Sequence, residues 1–119
     1  MTRSLAAGIV AVALAGAVAA QGVEKGVDKV FTHSVRPRGL AEECFKLAGG
    51  QSIGYAFASS APVDFNIHFH RGNDVVYPVK ADGAQSAADR FTAPSTEEYC
   101  LMWTNRTLEM VAVKVQLAP

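Results

Sequence analysis

The sharpest chemical feature of the sequence is His68-Phe69-His70. On an extended strand, side chains two residues apart leave the same face with their Cα atoms about 6.5–7 Å apart, so both imidazoles reach one metal ion. Neutral imidazole suits copper, zinc or nickel. A third ligand has three candidates: His33, or a soft thioether from Met102 or Met110 in an exported copper site. Asp64 and Asn66 fall on the same face, however, and a solvent-facing strand tolerates such residues without any ion. Two imidazoles lacking a definite third ligand therefore place metal binding second to a plain contact surface.

Other residues with chemical capacity yield less. Tyr99, Met102 and Trp103 cluster beside Cys100. They offer either an aromatic binding surface or a core packed on a disulfide, and the core is the commoner arrangement. Tyr77 carries the same ambiguity. Asn105-Arg106-Thr107 is an N-x-T sequon, read here as a turn asparagine. No G-x-S-x-G elbow occurs, and the Glu42-Glu43 and Glu97-Glu98 doublets fit solvated strand edges, so no activated nucleophile or base is identifiable and the chain is read as a non-enzyme.

These side chains must be positioned by strands. Short apolar runs recur about every ten residues between turn residues, the pattern of an all-β sandwich or barrel. Strands are expected over Val30–Val35, stopped by Arg36-Pro37-Arg38-Gly39, and over Ala41–Leu47, ending at Gly49-Gly50. Gln51–Ala58 forms the next and Ser59-Ser60-Ala61-Pro62 a turn. Val63–His70 is the clearest strand, since Val63, Phe65, Ile67 and Phe69 alternate with Asp64, Asn66, His68 and His70. Arg71-Gly72-Asn73-Asp74 then turns into Val75–Lys80. Ala81–Ala88 reads as a loop and Asp89–Thr92 as a brief strand. Glu98–Thr104 is apolar on both faces, as in a central strand, and Thr107–Leu117 closes the fold. Seven or eight strands make an antiparallel two-sheet β-sandwich the natural solution.

The chain has 119 residues, enough for one domain; half are apolar and 18% are charged, which excludes wholesale disorder. Eleven basic residues balance eleven acidic ones without any basic run, so a nucleic-acid footprint is absent. Arg3 followed by the uncharged Leu5–Ala20 and the small residues Val18-Ala19-Ala20 reads as a secretory signal peptide over residues 1–20, cleaved before Gln21. Residues 21–29 form a flexible lead-in, and 30–119 the domain. No membrane span remains after cleavage, and the protein is expected in the periplasm or outside the cell. In such an oxidising compartment Cys44 and Cys100 favour a disulfide over a catalytic thiol or a metal ligand. In the chain-entropy account it stabilises the fold by about 4–5 kcal/mol.

The order of blocks resembles the GOLD (Golgi dynamics) domain, the luminal β-sandwich of secretory-pathway cargo receptors. The resemblance is carried by Glu43-Cys44-Phe45, a Gly pair, the strand ending in Phe57 and Val63-Asp64-Phe65-Asn66-Ile67. It continues through Asp74-Val75-Val76-Tyr77, Arg90-Phe91-Thr92-Ala93, Tyr99-Cys100-Leu101-Met102-Trp103-Thr104-Asn105 and a Val-alternating last strand, about residues 28–117 in all. It implies the pairing of Cys44 with Cys100. Those receptors continue into a coiled coil, a membrane span and a sorting tail. Here the last expected strand ends at Leu117, and Tyr99 lies closer to Cys100 than in the family, so only the module and its habit of binding proteins carry over. The sequence thus leads to an exported, non-catalytic binding module for a protein or small ligand. Its contact surface is drawn from Asp64, Asn66, His68, His70 and Arg71. The alternative is an exported copper or zinc protein using His68 and His70.

Overall fold

The computed structural model describes residues 29–119; the expected signal peptide, and the lead-in up to residue 28, lie outside the described residues. The described residues form six strands: β1 (Lys29–Val35), β2 (Leu40–Leu47), β3 (Ser52–Arg71), β4 (Asp74–Thr92), β5 (Glu97–Thr104) and β6 (Val111–Ala118). Among the described residues there is no helix, so none is long and apolar enough to cross a membrane. All pairings are antiparallel, in the order β1-β6-β3-β5-β2, with β4 on the other edge of β3.

The fold turns on the length of β3. Its first part, Gly54–Ser59, pairs with Ala118–Val113 of β6, and its second part, Asp64–His68, pairs with Thr104–Cys100 of β5. Between them the strand leaves one neighbour and meets the next, which curls the sheet into a half-barrel. The curl brings the outermost strands face to face. His33 on β1 reaches Glu43 on β2, Nε2 to Oε2 3.3 Å, so side chains bridge a seam that no backbone ladder closes.

Two sequence expectations are corrected at this bend. Ser59-Ser60-Ala61-Pro62 is not a turn but the irregular stretch of a continuous β3, where the register against β4 shifts between Ala58 and Val63. A proline lacks the N–H that a regular ladder uses, and a register irregularity is where that loss is tolerated. Ala81–Ala88 is not a loop but the middle of β4, paired with β3 through Ala84↔Val63, Ser86↔Ala58 and Ala87↔Phe57. Small side chains give no strand signal there, and pairing with a long partner decides the conformation instead. The seven or eight strands expected are therefore six longer ones, joined in one curled sheet. The last strand starts at Val111, and Thr107–Met110 is loop.

The concave side holds the core. Tyr55, Phe57, Val63, Phe65, Ile67 and Phe69 from β3 meet Tyr99, Leu101 and Trp103 from β5 and Val111, Val113, Val115 and Leu117 from β6. Trp103 is fully buried, with ring centroids 5.7 Å from Phe65, 6.0 Å from Phe57 and 5.8 Å from His33. It is core, as expected, and not a surface anchor. Tyr99 is equally buried and donates its hydroxyl to the Ser95 carbonyl at 2.6 Å.

The loop between β5 and β6 hangs on Asn105, which is completely buried. Its amide nitrogen donates to the carbonyls of Val35 (3.1 Å), Arg36 (3.0 Å) and Glu109 (2.7 Å), and its oxygen accepts from the Thr107 N–H (2.8 Å) and hydroxyl (2.7 Å). The sequon asparagine is a structural pillar that satisfies backbone groups of two loops.

Candidate functional site

The expected two-residue alternation holds through the second half of β3, and register arranges the convex face in rows. Cys44 on β2, Cys100 on β5 and His68 on β3 stand side by side, and Glu42, Met102 and Asn66 form the next row. Leu40, Thr104 and Asp64 follow. Cys44 and Cys100, direct partners across β2 and β5, are joined by the disulfide, with Cα atoms 4.0 Å apart.

His68 is only 4% exposed although it points to the convex side. It is covered by its neighbours: the ring of His70 lies 5.3 Å away and that of Tyr77, from β4, 5.8 Å away, centroid to centroid. Its Nδ1 is 2.8 Å from Asn66 Oδ1, which accepts the Nδ1–H. Its Nε2 is 3.3 Å from Glu42 Oε2. Burial lowers the His68 pKa below the usual imidazole range; the Glu42 charge raises it, and His70 adds to the lowering.

The proposed surface residues separate into two groups. Asp64 is already engaged: it pairs with Arg106, and its Oδ1 accepts the Gly83 N–H at 2.9 Å. The Arg106 hydrogen bond comes first among the effects that hold its carboxyl below the usual range, with Gly83 N–H and the charges of Arg106 and Lys80 adding and burial opposing. Asn66 and His68 are buried. His70 and Arg71 are exposed, next to the turn Gly72-Asn73, where Gly72 adopts φ +62°. A positive φ at the first turn residue suits glycine and joins twisted strands. Arg71 lies over the Phe69 ring and pairs with Glu97 at 3.2 Å. Beyond the turn, Val75, Val76 and Tyr77 are exposed, Tyr77 by 46% and with the Lys80 ammonium 5.6 Å above its ring.

The third-ligand candidates are not brought together with the His pair. His33 lies against the core and Trp103, and Met110 is exposed in the loop before β6; only Met102 shares the face of His68. The structure instead brings Glu42 to His68, with the Cys100 sulfur within 4.8 Å of both ligand atoms. Glu42 was read as an edge carboxylate. Its proximity depends on the β2–β5–β3 register, which no local pattern reveals.

No family model matches the chain, and no curated protein matches it by sequence. Its fold is similar to solved structures. PliG of Aeromonas hydrophila, a periplasmic inhibitor of g-type lysozyme, aligns with TM-score 0.61 at 15% identity over 82% of this chain and 90% of that one. The pre-peptidase C-terminal domain of a Bacillus anthracis collagenase aligns with TM-score 0.58 at 11% identity, over 77% and 90%. The Yersinia pseudotuberculosis-derived mitogen aligns with TM-score 0.54 at 12% identity, over 76% and 83%. At such identities the likeness is one of fold.

Proposed function

We propose that this chain is an exported, non-catalytic binding module that grips a protein partner with the tip of the β3–β4 hairpin. The observation that carries the reading is the exposure of Val75, Val76 and Tyr77 beside His70 and Arg71. Adjacent exposed apolar and aromatic side chains, rimmed by charge, are how interface anchors look before they are covered. The likeness in fold to a periplasmic lysozyme inhibitor and to a pre-peptidase C-terminal domain supports a non-catalytic role. The signal-like leader supports export, and the residue blocks quoted above support a GOLD-like module. Of the surface drawn from the sequence, His70 and Arg71 belong to the contact, while Asp64, Asn66 and His68 hold the face in shape.

The test compares the oxidised protein with a Val75→Ser/Tyr77→Ser variant as bait for exported proteins, with g-type lysozyme as the first purified candidate. A partner retained by the parent chain and lost by the variant supports the reading. Equal retention by both sinks the hairpin as the contact.

A second reading, copper or zinc binding through His68 and His70, draws on the 5.3 Å separation of their rings. Calorimetric titration with Cu(II), anaerobic Cu(I) and Zn(II) decides it. One-to-one binding that disappears in His68→Ala/His70→Ala supports this reading, and binding no tighter than to an arbitrary surface histidine retires it.

A further inference from the structure

We propose that the Cys44–Cys100 disulfide masks a metal site: once it is reduced, the two thiolates, His68 Nε2 and the Glu42 carboxylate hold one zinc-type divalent ion. Cys100 Sγ, His68 Nε2 and a Glu42 oxygen lie within 4.8 Å of one another, and Cys44 Sγ is bonded to Cys100 Sγ, so it is brought to the same place. Two thiolates, an imidazole and a carboxylate are a donor set that tetrahedral zinc accepts. At ordinary zinc bond lengths the edges of such a tetrahedron run from about 3.3 to 3.8 Å. The 3.3 Å from Nε2 to Oε2 already matches the short edge. The sulfur needs an approach of roughly 1 Å or less to complete its own edges.

The support behind His68 points the same way. Its Nδ1–H is held by Asn66 Oδ1 at 2.8 Å, which turns the Nε2 lone pair toward the Glu42 carboxylate. Two acceptors then face one another at a distance that a shared cation satisfies. Metal-bound histidines are oriented by just such a bond at the other ring nitrogen. Asn66 is thus a positioning residue. The face is also built to admit a reductant, because Cys44 is exposed while Cys100 beside it is buried.

The chemistry balances. A dithiol reductant attacks the disulfide, its own two sulfurs become a disulfide, and Cys44 and Cys100 take up two electrons and two protons as thiols. Binding the ion then releases both thiol protons to solvent. Exchange with a disulfide partner runs the reaction back, removes two of four ligands and expels the ion. This proposal stands apart from the His68/His70 reading, since His70 is not a ligand and the oxidised chain lacks the sulfur donors.

The experiment titrates the chain with Zn(II), and with Co(II) as a spectroscopic reporter, before and after reduction by a phosphine, which leaves as its oxide with the oxygen of one water. The reduced chain is expected to bind one ion roughly 100-fold or more tighter than the oxidised chain. Tetrahedral Co(II) bands and a thiolate-to-cobalt charge-transfer band accompany the binding. His68→Ala and Cys44→Ser/Cys100→Ser remove that gain, Asn66→Ala weakens it roughly tenfold, and His70→Ala leaves it unchanged. If the reduced chain unfolds by circular dichroism, one equivalent of zinc must refold it. Equal affinity of the two redox forms, indifference to His68→Ala, or a reduced chain that stays unfolded with zinc each overturns the proposal.

Discussion

Glu42 on β2 reaches across β5 to His68 on β3, its Oε2 3.3 Å from the imidazole Nε2. The two are far apart in sequence and belong to strands that share no backbone ladder. Only the register of Glu42 with Met102, and of Met102 with Asn66, brings them to one place.

That pair makes stability depend on pH in a defined direction. The groups facing His68 are Glu42 from β2, His70 from its own strand and Tyr77 from β4, with Lys80 stacked beyond Tyr77. Burial lowers the folded-state pKa below the ordinary imidazole value of 6.5, so the unfolded chain binds the proton more readily. Stability is therefore full above that value, and it falls as pH drops from there toward the folded-state pKa. Melts of the oxidised chain in chelator should show this decline. His68→Asn flattens it, and Glu42→Gln steepens it, because the carboxylate is what raises the histidine pKa. A decline unchanged in His68→Asn assigns it to other groups.

Asn105 is expected to be the costliest polar position. Its amide nitrogen serves three carbonyls and its oxygen two Thr107 donors, with the asparagine itself completely buried. Asn105→Asp turns a carboxylate oxygen against those carbonyls, and Asn105→Ala leaves them unpaired. Either variant should lose about 2–4 kcal/mol in urea melts. Thr107→Val, which removes one donor, should lose about 1 kcal/mol. A glycan at this sequon is incompatible with the folded domain, since the nitrogen it needs is buried and committed.

Asp64 contributes much less, and its pH dependence runs in the same direction as that of His68 but in a more acid window. Its carboxyl is held below the ordinary aspartate value of 3.8, first by the Arg106 hydrogen bond, so its contribution is present above that value and is lost as pH falls through the folded-state pKa. Arg106 is largely exposed, so solvent screens the pair, which keeps its contribution small and salt-sensitive. Asp64→Asn should differ from the parent at pH 7 and converge with it in acid. A gap that persists at low pH means that the charge pair does not carry the effect.

How much of this was legible depends on how local the determining physics is. Val63–His70 could be read because alternation is a property of one strand, and Trp103 because aromatics clustered beside a disulfide cysteine are more often core than surface. The Cys44–Cys100 pair followed from number and compartment. Ser59–Pro62 and Ala81–Ala88 were misread because their conformation is imposed by partners: β3 changes neighbours at the first, and β3 supplies the ladder for the second. The roles of Glu42 and Asn105 were invisible for the same reason, since each depends on groups from distant segments.

The disulfide should act locally as well as globally. It spans a sequence separation of 56, for which loop-closure entropy gives about 4–5 kcal/mol. Yet it joins β2 to β5, and β2 has no ladder on its other edge, where the His33–Glu43 contact crosses the seam. Without the bond, β2 depends on one ladder and half-buried side chains, so it should open below the free energy of global unfolding. In metal-free Cys44→Ala/Cys100→Ala, amides of Leu40–Leu47 are expected to exchange much faster than those of Val111–Ala118, which lie between two strands. His33→Ala in the same background widens the difference by removing the seam contact. Uniform acceleration across all six strands gives the opposite conclusion: the bond then stabilises only by restricting the unfolded chain.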